Sequence, residues 1–287
     1  MYKHRIALLL GILLISAYPV LVKYMGNLAS ISAFYRVLVP AVCLLPILFF
    51  SPKEKIPKGK YLIGTLVCGM LFGLDIFFWN RAIEGSTATQ ATLLTNLAPI
   101  FVGVLAFLFL PNKPKRNFWI GAFIALVGMV VFIGWDVFIN LSVDIYFVLG
   151  LLSALTYSVY IVISKMVLEK AEVMPYMALN SISATITLGV LNLLRGTSFT
   201  GFSPKDWGLL FLGGFFCQLV AWALISYATK KMRATRVSLS LLSQTVFAAL
   251  MAYVVLNEKP TTEMLIGGLI IIVGIAITFI EPKPKKV

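Results

Sequence analysis

The sequence predicts an all-α integral membrane protein, with ten transmembrane helices arranged as two inverted five-helix repeats. Three observations predict it. Of the 287 residues, 60% are hydrophobic and 12% charged, about half of the roughly 25% charged share of soluble domains, and mean hydropathy is +0.96. Apolar stretches of about 20 residues, the length that spans a hydrocarbon core, follow one another with short gaps. The second half of the chain also repeats the first with its loop charges reversed. Membrane β-barrel strands alternate apolar and polar residues, whereas runs such as Ile120 to Ile133 are apolar on every side.

The first helix is predicted at 6–26. Met1, Tyr2, Lys3, His4 and Arg5 ahead of it resemble the start of a signal peptide. The apolar run is long enough to span and no A-x-A site follows it, so a first helix rather than a removed leader is expected. Ser16, Pro19 and Lys23 share one of its faces. The second helix, 31–50, carries Arg36 near its start. The third, 61–82, holds Asp75, the only acid well inside a span, about 5 Å from the midplane at 1.5 Å per residue. The fourth, 87–109, places Thr89, Thr92, Asn96, Pro99 and Gly103 at helical spacing on one face. The fifth, 117–135, has Gly121 and Gly128 seven apart, which permits close helix approach.

The sixth helix, 145–168, aligns Ser153, Tyr157, Tyr160 and Ser164, and the seventh is predicted at 175–194. The eighth, 206–228, offers Gln218, Trp222 and Thr229, and the ninth, 235–256, offers Ser240, Ser243 and Gln244. The tenth, 264–281, carries Gly267 and Gly274. Every connection is short, so no soluble domain is expected. Cys43, Cys68 and Cys217 all fall inside spans and read as packing residues, without disulfide or metal-ligand spacing.

Positive residues gather in cytoplasmic loops. With the N-terminus inside, the inner segments hold Lys3 and Arg5; Lys53, Lys55, Lys58 and Lys60; Lys113, Lys115 and Arg116; Lys165 and Lys170; Lys230, Lys231, Arg233 and Arg236; and Lys283, Lys285 and Lys286. Only Lys23, Arg36, Arg81, Arg195, Lys205 and Lys259 remain at outer positions. Both termini are therefore expected in the cytoplasm, and the charge of +13 reflects topology rather than nucleic-acid binding.

A shift of 146 residues places Ala88 on Ala234, Phe101 on Phe247, Lys113-Pro114 on Lys259-Pro260, Gly121 on Gly267 and Gly128 on Gly274. A weaker match at 142 pairs Lys23 with Lys165, and Ser16 and Tyr18 with Ser158 and Tyr160. The predicted halves are 1–140 and 141–287. Five is odd, so the second half enters from the opposite side. Inverted repeats around a midplane substrate site are the architecture of many secondary transporters.

Polar side chains within spans face the bundle interior or a water-filled cavity. The candidates for a substrate cavity are Tyr18, Asp75, Trp79, Thr92, Asn96, Tyr157, Tyr160, Gln218, Trp222, Ser240 and Gln244. Three roles stay open for Asp75: holding a substrate ammonium, carrying a coupling proton, or pairing with Lys23 or Arg36. Trp79, Phe72 and Phe78 near it would suit an amphiphilic cation or an aromatic amino acid. Single serines more often bond their own helix or glue helices together. Pro19 and Pro99 free backbone carbonyls and read either as hinges or as static kinks.

The stretches Trp79-Asn80-Arg81-Ala82-Ile83 and Thr92 to Pro99-Ile100-Phe101-Val102 resemble the third and fourth helices of the drug/metabolite transporter superfamily, specifically its EamA-type ten-helix members. Asn257-Glu258-Lys259-Pro260, with Gly267 and Gly274, resembles its ninth-to-tenth helix signature, and Phe34-Tyr35-Arg36 its second-helix arginine. Asn112 departs from the pattern, standing where the first repeat usually has the glutamate matched by Glu258.

The resemblance implies a cavity lined by the first, third, fourth, sixth, eighth and ninth helices. It also implies export or exchange of small metabolites, amino acids commonest, across the inner membrane by alternating access. A proton-coupled pump for cationic drugs is the alternative, although the first helix lacks the acid that small relatives use. A channel or scaffold is the alternative of a different class. An enzyme is not expected. The sole histidine is His4, no second membrane acid stands beside Asp75, and no G-x-x-x-x-G-K-[ST] loop occurs. The expected partners are a small-molecule substrate and the lipid bilayer, with no nucleic acid, no cofactor and no metal; monomer and homodimer both stay open. A cysteine at position 140 is expected to react with an impermeant thiol reagent applied from outside, and one at position 56 is not. The reverse pattern overturns the orientation.

Overall fold

Apolar runs bounded by Gly, Pro, Asn and charged residues become helices here with little drift at their ends. The computed structural model describes residues 2–25, 28–50, 52, 56–86, 88–139 and 143–280. Among them no strand occurs, and ten helices are long and apolar enough to cross a membrane. We number these α1 (Lys3–Met25), α2 (Ile31–Phe50), α3 (Lys60–Gly85), α4 (Gln90–Phe109) and α5 (Arg116–Ile133). The second half holds α6 (Ile145–Leu168), α7 (Val173–Leu194), α8 (Pro204–Lys231), α9 (Ala234–Leu256) and α10 (Thr262–Phe279). Each predicted end falls within one helical turn of the observed one. Lys53, Lys55, Lys283, Lys285, Lys286 and position 140 lie outside the described residues. The fifth helix stops earlier than predicted, because Gly134 adopts φ +104° and the chain restarts as a short helix, Trp135–Ile139.

Several starts are capped by side chains that supply acceptors to the unpaired N–H groups of a first turn. Asp144 accepts from the amides of Tyr146 and Phe147 at 2.9 Å to open α6, and Ser203 with Asp206 forms a capping box at α8.

Four spans are interrupted. In α1 the helix breaks at Ala17, between Lys3–Ser16 and Tyr18–Met25. In α4 it breaks between Thr95 and Ala98. Both breaks lie next to a proline, Pro19 and Pro99. Each lacks the N–H that would bond the carbonyl four residues earlier, on Ile15 and Thr95. In α9 no proline is present, yet the helix breaks at Leu242, where Leu242 N–H turns to the Leu239 carbonyl and Thr245 N–H to that of Leu242, both at 3.2 Å. Such i to i−3 bonds tighten the turn. α8 contains a π-helical stretch, Gly213–Val220.

The most extensive helix contacts form a pattern that survives exchanging each helix with the one five places away. α3 packs on α6 as α8 does on α1, α3 on α7 as α8 on α2, and α4 on α6 as α9 on α1. The pairs α2–α7 and α5–α10 map onto themselves. The α5–α10 seam has the reciprocity of a two-fold contact. Gly121 lies against Gly274, and Gly128 against Gly267 and Ile271. Around this interior, large apolar side chains face outward in mid-span, Phe123 at 70% and Leu269 at 67% exposure, as a lipid-facing surface requires.

A methyl group on Gly274 would lie 2.6 Å from both the Ala125 nitrogen and the Gly121 oxygen, backbone atoms that cannot turn aside. Gly274→Ala is expected to destabilise by about 1–3 kcal/mol through overpacking. Gly208→Ala, with nothing within 4 Å, should leave stability unchanged or raise it. Thermal unfolding in detergent tests the contrast, and equal behaviour of the two variants overturns the tight seam.

Candidate functional site

The interruptions in α4 and α9 border one cavity of about 170 Å³ near the middle of the spans, and those in α1 and α8 end two residues from its lining residues Ile15 and Trp222. α3 contributes Phe72, Asp75, Ile76 and Trp79 to its wall, and α4 contributes Thr92, Thr95, Asn96, Ala98 and Pro99. α9 adds Ser238, Leu241, Leu242, Gln244 and Thr245. Ile15 of α1, Arg36 of α2, Tyr157 of α6 and Trp222 of α8 complete it. Ile15 and Thr95, whose carbonyls lose their helical donors to the two prolines, are both on this wall. Each offers an acceptor next to the space.

Two opposite charges share the cavity. Asp75 accepts a hydrogen bond from the Ser153 hydroxyl at 2.6 Å, and Ser153 is in turn 3.2 Å from the Thr95 hydroxyl, so α3, α6 and α4 meet at this carboxylate. Arg36 donates from Nε to the Gln218 side-chain oxygen at 2.6 Å, and its guanidinium lies over the Tyr18 ring, 4.3 Å from the centroid. Gln218 sits in the π-helical stretch of α8, and the Tyr18 hydroxyl is bonded to Ser32 at 2.9 Å. Arg36 and Asp75 face the same space without forming an ion pair.

The rest of the wall is aromatic. Phe72 meets Trp222 edge-on at 5.0 Å, and Tyr157 meets it at 6.5 Å. Tyr160 stacks behind Tyr157 at 6.0 Å. Among the described residues the Trp222 indole Nε1 and the Ser238 hydroxyl have no hydrogen-bond partner although both are buried. An unpaired buried polar group costs about 1–3 kcal/mol, so two such groups on one cavity wall mark it as built for a polar occupant.

Of the predicted cavity residues, Asp75, Trp79, Thr92, Asn96, Tyr157, Trp222 and Gln244 line the space. Tyr18, Tyr160 and Gln218 stand one layer behind and hold lining groups in place. Ser240 needs correction, since it is buried away from the cavity and Ser238 takes its place. The lining face of α9 runs through Ser238, Leu241, Leu242 and Thr245 at helical spacing, and Ser240 lies off it. Lys23 needs correction as a partner for Asp75, because its ammonium bonds both carboxylate oxygens of Glu258 at 2.6 Å. Pro19 and Lys23 are both exposed whereas Ser16, before the turn at Ala17, is buried, so the three do not form a cavity face. Ser16 and Thr229 bond their own helices, at Ile12 and Ile225. Arg36 as a lining residue was missed, since an arginine near a helix end reads as reaching for the membrane surface.

Comparison with known proteins gives four findings. The profile of the EamA-like transporter family matches residues 4–134 and again 144–280. A protein named as an S-adenosylmethionine uptake transporter from Rickettsia felis is 26% identical over 267 residues, covering 92% of this chain and 88% of that one. One named as an uncharacterized transporter from Archaeoglobus fulgidus is 26% identical over 251 residues, covering 86% of each. Among solved structures, a crystal structure covering 97% of both chains superposes with a TM-score of 0.80 at 17% identity, which shows the shared fold.

Two buried serines separate a bonded role from an idle one. Ser153→Ala removes the donor to a buried carboxylate and is expected to cost about 1.5–3 kcal/mol. Ser240→Ala removes a buried hydroxyl without a partner and is expected to leave stability unchanged or raise it. Thermal unfolding of both variants measures this, and a Ser153→Ala protein as stable as the parent overturns the Asp75 contact.

Proposed function

The chain belongs to the EamA-like transporter family, and from that premise we propose that it is a secondary transporter carrying a small zwitterionic metabolite of the amino-acid class. It works across the cytoplasmic membrane by alternating access, with both termini in the cytoplasm. The single observation that carries the substrate class is the pair Arg36 and Asp75, which face one cavity without neutralising each other. A guanidinium matches a carboxylate through several N–H donors, and Asp75 accepts from an ammonium. The aromatic wall of Phe72, Trp79, Tyr157 and Trp222 receives the apolar remainder.

The relatives named for S-adenosylmethionine uptake act on a molecule that itself has an amino-acid end, which agrees with this reading. A cavity of about 170 Å³ favours a small metabolite over drug-sized ligands, whose pockets begin near 300 Å³. The drug-cation alternative has Asp75 and the aromatics in its favour, but Arg36 on the same wall repels a cation. Export is the direction implied by the family resemblance and uptake the one named for the Rickettsia relatives; substrate and coupling-ion gradients decide between them.

The halves 1–140 and 141–287 act in this proposal as the two inverted units that rock about the cavity. Support comes from the exchange-invariant packing, the reciprocal glycine seam and the family profile matching once in each half.

Counterflow in proteoliposomes tests the proposal, with amino acids, S-adenosylmethionine, nucleosides and cationic dyes, with and without a pH gradient. Saturable exchange of zwitterions is expected, lowered about tenfold or more by Arg36→Gln and by Asp75→Asn, each of which removes a charged hydrogen-bond partner. Exchange of dyes alone would favour the drug pump. Absence of exchange for every class by correctly inserted protein would favour a channel or scaffold.

A further inference from the structure

Topology accounts for most basic residues at the end of the bundle that the loop charges mark as inner, since cytoplasmic loops collect lysine and arginine whatever they bind. One place there has structure that topology does not require. The ends of α4 and α6 and the turn between α8 and α9 enclose a second cavity, of about 110 Å³. It shares no lining residue with the central one. Lys165, Lys231 and Arg233 line it together with Glu169. Three cations facing one carboxylate leave two positive charges uncompensated.

The hydrogen-bond donors around this space are also underused. Lys165 is 8% exposed, and its ammonium bonds Glu169 and the Lys230 carbonyl, each at 3.1 Å. One of its three donors is left over. Among the described residues Lys231 and Arg233 have no ion-pair or hydrogen-bond partner. α9 begins at Ala234, and its N-cap Arg233 gives no side-chain bond to the first turn, so the Ala234 and Thr235 amides keep the vacancy of a helix start. The Thr235 side chain is an independent sign. Thr235 is 4% exposed and borders the cavity, and among the described residues its hydroxyl has no hydrogen-bond partner. Burying a hydroxyl unpaired is costly, and a ligand rich in acceptors would remove that cost.

We propose that this cavity binds a phosphate monoester group. Such a group carries about −1.5 to −2 charge at pH 7, which matches the two uncompensated positive charges, whereas a carboxylate would match only one. Its oxygens accept from the ammonium and guanidinium groups, from the Thr235 hydroxyl and from the free amides of α9, whose dipole favours an anion at this end. Glu169 opposes the anion, and Lys165 beside it offsets that opposition. The group is carried both by free phosphates and by the headgroup of phosphatidic acid. The site stands apart from the central cavity and does not depend on what that cavity carries.

Thermal unfolding of the detergent-solubilised protein tests this, because a ligand of the folded state raises the midpoint once its concentration exceeds Kd. Inorganic phosphate and short-chain phosphatidic acid are the probes, at constant ionic strength, with short-chain phosphatidylcholine as the control lipid. The midpoint of the parent protein is expected to rise with at least one probe. Arg233→Gln should weaken the apparent affinity about tenfold, as loss of a charged hydrogen-bond partner implies, and Thr235→Val should weaken it less. Lys58→Gln removes an exposed cation outside the cavity and should leave the affinity unchanged. Lys231→Gln serves in place of Arg233→Gln if that variant does not fold.

A response to phosphatidic acid alone identifies a lipid headgroup as the source, and a response to phosphate identifies a group free in solution; either supports the site. No rise with either probe overturns it, as does a rise that phosphatidylcholine matches. A rise that survives both Arg233→Gln and Thr235→Val, or that Lys58→Gln weakens as much as Arg233→Gln does, also overturns it. No transport enters these measurements, so failure here is distinct from failure of the carrier reading, which the exchange assay decides.

Discussion

In a hydrocarbon core no water is present to satisfy a backbone N–H or C=O, so a spanning segment must close its own hydrogen bonds or border a protein-lined cavity. This constraint organises the molecule. α2, α5, α7 and α10 run through without a break, whereas α1, α4, α8 and α9 are interrupted. Every interrupted helix contributes to the wall of the central cavity. The broken ladder is tolerated where polar side chains, from a neighbouring helix or its own, stand near it. Ser158 donates to the Ala98 carbonyl at 3.0 Å beside the break in α4, and Ser243 donates to that of Ser240 at 2.7 Å beside the break in α9.

Keeping two charges in that space follows from the same accounting. A charge at the centre of a spanning helix costs about 2.5–3.5 kcal/mol on insertion scales. A hydrogen bond to a charged group returns about 1.5–3 kcal/mol. Ser153 on Asp75 and Gln218 on Arg36 therefore offset much of the cost and fix each group's position, while leaving its remaining bonding capacity directed at the cavity. Neutral partners matter here. An ion pair between Arg36 and Asp75 would satisfy both groups and leave neither available to a ligand.

The helices were legible in the sequence because length and hydropathy alone define them, and lipid removes the competing solutions open to a soluble chain. The cavity face of α4 was legible too, since Thr92, Asn96 and Pro99 repeat at helical spacing. The breaks at Pro19 and Pro99 carried a signal, whereas the break at Leu242 carried none. The lining face of α9 is set by Ser238, Leu241, Leu242 and Thr245, a stripe at helical spacing that Ser240 does not share. Asp75 stood out as a lone acid in a span, but its partner did not, because Ser153 lies 78 residues away and any of several serines would have fitted. Arg36 and Gln218 are likewise joined across 182 residues, a pairing that only the fold creates.

The division between continuous and interrupted helices also constrains how the molecule can move. α5 and α10 meet through glycines, with backbone against backbone and the Ile270 and Thr278 side chains close beside them. Such a seam has no second arrangement a small distance away, since close-packed contacts are bistable or fixed rather than continuously deformable. Neither helix lines the cavity. Of the helices that do line it, α1, α4, α8 and α9 carry irregular turns, which have fewer backbone bonds to break on bending. In the alternating-access cycle proposed above, bending of α1, α4, α8 and α9 at Ala17, Asn96, the π-helical stretch and Leu242 would open one end of the cavity and close the other.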